Sequence, residues 1–163
     1  YAYLSELLAE IGELDAARQA AQYTLRLGHD LPDDQIFSEH ARMHTLLGRL
    51  MRQSGQLDQA IQHLSEAIQL SPHDLTAYLE LGQTHLSRRK HQDAINIFNQ
   101  AIEAFPDSPE SYFQAAVALK EAKDYLQAEQ MLRQAARLAP QDLAIQRQLG
   151  AIIALNLVHN RKS

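Results

Sequence analysis

The 163-residue chain predicts an all-α fold of repeated helix–turn–helix units, and three observations carry that prediction. A small residue returns every 34 positions, as Gly48, Gly82, Ala116 and Gly150. Two alanine columns run in the same phase, Ala60, Ala94, Ala128 and Ala67, Ala101, Ala135. A proline column, Pro72, Pro106, Pro140, marks the turn between one unit and the next. One column alone means little, but several columns in phase specify a repeat of helical hairpins.

The period and column order resemble the tetratricopeptide repeat. In family order the second unit reads His44, Leu47, Gly48, Met51, Ala60, Leu64, Ala67, Pro72. The third reads Tyr78, Leu81, Gly82, His85, Ala94, Phe98, Ala101, Pro106, and the fourth Tyr112, Ala115, Ala116, Leu119, Ala128, Leu132, Ala135, Pro140. No unit carries the family's usual Trp at the first column, where His44 stands in one, and His85 replaces the large aromatic usual at the fourth. The resemblance implies a right-handed superhelical solenoid forming a single domain over residues 1–163. Residues 1–40 would be an irregular first unit and connector, 41–74, 75–108 and 109–142 regular repeats, and 143–163 the C-terminal helix of a partial or capping unit.

Taken in order, Gly12-Glu-Leu-Asp-Ala-Ala17 mirrors Gly55-Gln-Leu-Asp-Gln-Ala60, which places Ala17 in the small column of a decayed first unit. The excess length falls in the connector Gly28–Phe37, which holds Pro32, Asp30, Asp33 and Asp34. Gly28 is expected to close one helix and Asp33 or Asp34 to cap the next, a longer helix from near Asp34 to near Ser54. Ser108-Pro109-Glu110 has a capping hydroxyl, a first-turn proline and an acid in the order a helix start favours, and Asp124 can cap in the same way. Arg88-Arg89-Lys90 falls at a helix C-terminus, where cations offset the macrodipole by about 0.3–1 kcal/mol each. That reading is preferred to a phosphate or nucleic-acid patch. Gly48, Gly82 and Gly150 are expected to let neighbouring helices approach closely, because glycine inside a helix otherwise only costs stability. At the C-terminal end Leu143–Val158 is expected to pack back through Ile145, Leu149, Ile152 and Ile153, leaving Leu155, Leu157 and Val158 as an apolar edge.

Composition narrows the function classes. The formal charge of −5 is no argument for nucleic acid. Its distribution is uneven, with 8 acids against 2 bases in residues 1–40 and Arg147, Arg161 and Lys162 without an acid in 143–163. Cysteine is absent, which excludes disulfides and thiolate metal sites. No apolar run is longer than Ala151–Leu155, which falls far short of the roughly 20 residues of a membrane span. The chain begins at Tyr1, not Met, and is expected to be a piece of a longer protein. Composition leaves the compartment open, with the cytoplasm as the default.

Catalytic signatures are missing: the sequence has no glycine-rich phosphate loop with its lysine, no nucleophile elbow and no His-Glu-x-x-His helix. His40 and His44 stand four apart on a helix, a spacing that suits one metal ion. His44 occupies a packed repeat column, however, and no third ligand is fixed, so a structural role is preferred and no metal or cofactor is expected. Asp58, Glu66, Glu103, Glu121 and Glu129 are expected on solvated faces. No enzyme activity is expected.

The resemblance also implies a partner-binding face. In the family the first helix of each unit lines a concave groove, and its positions here are Arg42, Thr45, Arg49, Arg52, then Thr76, Leu79, Gln83, Leu86, then Glu110, Phe113, Val117, Lys120. Such a groove is basic at one end and apolar in the middle, and suits a peptide or helix with an acid followed by apolar side chains. The alternative is that Leu79, Phe113 and Val117 only pack on one another. One subfamily grips a chaperone's terminal carboxylate, but the corresponding positions here are Thr45, Arg49, Glu80, Glu110 and Gln114, so that clamp is not expected. The leading expectation is therefore a protein-interaction scaffold. The alternatives are a non-catalytic arm of a larger glycosyltransferase- or sulfotransferase-like enzyme, or a structural element that self-associates through Leu155, Leu157 and Val158 of the C-terminal helix.

Overall fold

The computed structural model describes residues 1–27 and 33–160, and among them it has nine α-helices and no strand. They are α1 (Ala2–Glu10), α2 (Leu14–Leu27), α3 (Asp33–Gln53), α4 (Leu57–Leu70), α5 (Leu75–Ser87), α6 (His91–Ala104), α7 (Pro109–Glu121), α8 (Tyr125–Leu138) and α9 (Leu143–Asn160). Contacts divide the chain into two compact units, Tyr1–Thr84 and His85–Ser163. In the first, α1 packs on α2 and α3, α2 on α3, and α3 on α4. In the second, α6 packs on α7, α7 on α8 and α8 on α9. The closing role of Gly28 and the capping side chains of Asp33 and Asp34 lie outside the described residues.

The two alanine columns of the repeat are buried. Ala17, Ala60, Ala94 and Ala128 are fully buried, as are Ala67, Ala101 and Ala135. Between those columns Leu64, Phe98 and Leu132 fill one equivalent position, each burial contributing roughly 1.5–3 kcal/mol. The first unit adds a cluster of Ala2, Ala17, Ala21, Met43, Leu46, Leu47 and Leu50. Gly48 permits the close approach expected of it, since a Cβ there would clash with Leu64 Cγ and lie 2.8 Å from Cδ2. Gly150 does not: a Cβ there would meet nothing within 4 Å. The expectation of a close approach at Gly150 is thus corrected, because that face of α9 is exposed and no second helix lies against it among the described residues. Ile145 and Ile152 of α9 are buried, while Leu149 and Ile153 are only half-buried.

The turns repeat their chemistry with different residues. Gly12, Gly55, Arg89 and Lys123 all take positive φ, at 88°, 75°, 58° and 66°. At each, the following N–H returns to the preceding helix: Glu13 to Leu8, Gln56 to Met51, Lys90 to His85 and Asp124 to Leu119, at 2.8–2.9 Å. This bond satisfies a carbonyl the helix end would otherwise orphan. The helix starts are capped as the sequence suggests at Ser108, which accepts from the Ser111 N–H, and at Asp124, which accepts from the Gln127 N–H. Asp74 and Asp142 serve α5 and α9 in the same way, accepting from the N–H groups of Thr76 and Ala144.

Candidate functional site

One face of α3 carries the candidate site in the first unit. Arg42, Thr45, Arg49 and Arg52 follow at steps of three and four residues, so they share a face, while Met43, Leu47 and Leu50 turn to the buried cluster. A recess of about 310 Å³ is lined by Glu6, Arg42, Thr45, Leu46, Arg49, Asp74 and Thr76. Thr45 Oγ1 donates to Asp74 Oδ2 at 2.9 Å and also lies 3.0 Å from the Ala41 carbonyl. Asp74 Oδ1 accepts the Thr76 N–H at 3.0 Å, so one carboxylate both starts α5 and anchors α3.

Most of the positive charge on this face is already paired. Arg42 donates to Glu6 Oε1 at 2.5 Å, from α3 to α1. Arg52 engages Glu80 Oε2 at 2.8–2.9 Å, with both side chains largely buried. Among the described residues, Arg49 makes no hydrogen bond or ion pair. The carboxylates of Glu6 and Glu80 were not legible as partners because they lie 36 and 28 residues from their arginines.

Of the other expected groove residues, Thr76 lines this recess, and Leu79, Gln83, Leu86, Phe113, Val117 and Lys120 are not among its lining. Leu79 and Gln83 are half-buried on α5. Leu86 lines a different recess, with Ser87, Arg89, His91 and Glu121. Phe113, Val117 and Lys120 are half-buried on α7 of the second unit, and Lys120 donates to Gln148 Oε1 at 3.3 Å. Glu80, one of the two acids at clamp positions, is held by Arg52, and the other, Glu110, accepts from Gln114. Leu155, Leu157 and Val158 are exposed at 41%, 60% and 54%. Of the acids expected on solvated faces, Glu129 departs from that reading. Its carboxylate accepts from Asn156 and Arg133, and these bonds hold it below the usual carboxylate range.

His44 pairs with His63 of α4, Nδ1 to Nδ1 at 3.0 Å, and not with His40. Burial, followed by the neighbouring His63, pushes His44 down to about 4, against the opposing charge of Glu66; His40 lowers it further. Burial lowers His63 too, again opposed by Glu66. Among the described residues, no group of three or more His, Asp or Glu is placed to hold a metal, and no helix is long and apolar enough to cross a membrane.

Against known proteins, the tetratricopeptide repeat profile matches residues 51–119 and 85–153, and a second profile of the same description matches residues 4–75. The BBSome complex member BBS4 of Mus musculus is 29% identical over 103 residues, 59% of this chain and 20% of that protein. Superkiller protein 3 of Schizosaccharomyces pombe is 26% identical over 144 residues, 88% of this chain and 10% of that protein. The chain therefore spans a tenth to a fifth of the length of these relatives. Among solved structures, MamA 41-end from Desulfovibrio magneticus RS-1 superposes with a TM-score of 0.75 at 16% identity, covering 98% of this chain and 85% of that one. The first tetratricopeptide domain of Spaghetti (RPAP3), bound to the HSP90 peptide SRMEEVD, superposes with a TM-score of 0.68 at 16% identity, covering 74% and 95%.

Proposed function

Since the chain belongs to the tetratricopeptide repeat family, we propose that it is a non-catalytic protein-interaction scaffold that receives a partner peptide or helix on the α3 face of its first unit. The observation that carries this reading is Arg49, a guanidinium with no partner among the described residues, in a recess where Glu6, Arg42, Thr45 and Asp74 are held by hydrogen bonds. An arginine fork is suited to a carboxylate, and the fixed neighbours reduce the entropy lost on binding. The first domain of Spaghetti has the same fold and binds a peptide. The chaperone-tail mode is not proposed here, because Glu80 and Glu110 stand at positions where the clamp needs donors. Leu79 and Gln83 remain proposed partner contacts within the first unit, and Leu86, Phe113, Val117 and Lys120 remain proposed contacts within the second.

Selecting a phage-displayed library of random linear peptides on the chain tests the reading. Binders should weaken roughly tenfold or more on Arg49→Glu, and their affinity should fall with added salt. Binders indifferent to both would remove Arg49 from the site.

The exposed edge of α9 supports a second reading, self-association through Leu155, Leu157 and Val158, since contiguous uncovered apolar surface usually marks a contact. Light scattering that shows the mass of a single chain at every concentration would dismiss it.

A further inference from the structure

The strongest unassigned feature is the sign of the recess on α3. Its lining holds two guanidinium groups, Arg42 and Arg49, and two carboxylates, Glu6 and Asp74, so its formal charges cancel. The face nevertheless keeps acceptor capacity. Arg42 engages only one oxygen of Glu6, and each oxygen of Asp74 accepts one bond, from Thr45 and from the Thr76 N–H, where a carboxylate oxygen has lone pairs for two. An all-acidic segment would find Arg49 and then meet Glu6 and Asp74, and like charges in an interface are strongly disfavoured.

Resting on the scaffold reading, we propose that the recess selects a mixed-charge peptide: one acidic side chain for Arg49 and one basic side chain for Glu6 and Asp74. In an extended peptide, residues two apart share a face, so the recognised pattern is an acid and a base separated by one residue. The carboxylates also discriminate. Glu6 and Asp74 repel acid-only tails, so the site excludes one class of ligand while it attracts another.

The test takes a peptide from the random library that binds in an Arg49-dependent way and replaces its base by norleucine. Affinity for the wild-type chain should fall roughly threefold to tenfold, a modest loss because the contact is partly exposed. The same replacement should make no difference on the double variant Glu6→Gln, Asp74→Asn, in which asparagine still caps α5. Circular dichroism of that variant should match wild type. If selected peptides depend on Arg49 yet tolerate loss of the base, or bind more tightly as acids are added, the mixed-charge inference is overturned and the scaffold reading stands. If no selected peptide depends on Arg49, both are overturned.

Discussion

In the first unit Gly48 of α3 lies against Leu64 of α4, and there is no room for a methyl group; in the second, Gly150 occupies the same repeat column on α9 and faces nothing within 4 Å. The histidines differ in parallel. His44 faces His63, another base, at 3.0 Å, whereas His85 and His91 of the second unit have Asp93 and Glu121 within 3.9 Å and 3.4 Å. A repeat therefore fixes where a residue sits without fixing what it costs. That depends on what the next helix places opposite.

The largest expected effect separates the two glycines. Gly48→Ala should destabilise by about 1–3 kcal/mol, because Leu64 is fully buried and must move to make room. Gly150→Ala should stabilise by roughly 0.5–1 kcal/mol, since its methyl enters open space and the helix gains propensity. Denaturant titration of both variants checks the pair. Equal and small changes would break the contrast.

The histidine comparison predicts a different response to acid. His44 has its folded value held at about 4, below its ordinary 6.5, so the unfolded chain takes up the proton first. Its contribution to stability is complete above pH 6.5 and declines as pH falls from there towards 4. In the second unit burial also lowers His85, but Asp93 opposes that shift. Hydrogen exchange at falling pH should therefore show α3 and α4 losing protection before α7 and α8. His44→Phe, which keeps the packed column filled, should remove most of the difference. Simultaneous loss in wild type would refute the assignment.

The sequence carried the fold because the fold is periodic. Ala60, Ala94 and Ala128 could be read as buried from their spacing alone, and Ser108 and Asp124 as caps from their local order. Pairings across the repeats were not legible in the same way. His63, Glu6 and Glu80 sit at positions that no column distinguishes, and their meaning arises only when α4, α1 and α5 are brought against α3. The candidate site was therefore half legible: the resemblance to the family implied the arginines, and the carboxylates that neutralise two of them were not visible. Gly150 failed for the complementary reason. Its column promised a neighbour, and none is there among the described residues.

The smallest expected effect concerns the turns, where the two units fill one backbone position with different residues. The first uses Gly12 and Gly55, the second Arg89 and Lys123, and all four have positive φ. An L-residue held there costs roughly 1–2 kcal/mol. Replacing Arg89 or Lys123 by Gly relieves that strain, but it also raises the entropy of the unfolded chain by about 0.4–1 kcal/mol and removes a cation from a helix C-terminus worth about 0.3–1 kcal/mol. The terms nearly cancel, leaving a gain below about 1 kcal/mol for Arg89→Gly and Lys123→Gly. Salt separates them. The dipole term is screened and the strain is not, so the gain should grow in concentrated salt. Gly55→Arg should show the reverse, a loss that deepens as salt rises. A gain in Arg89→Gly that shrinks with salt would mean that the charge of Arg89 does not contribute at the end of α5.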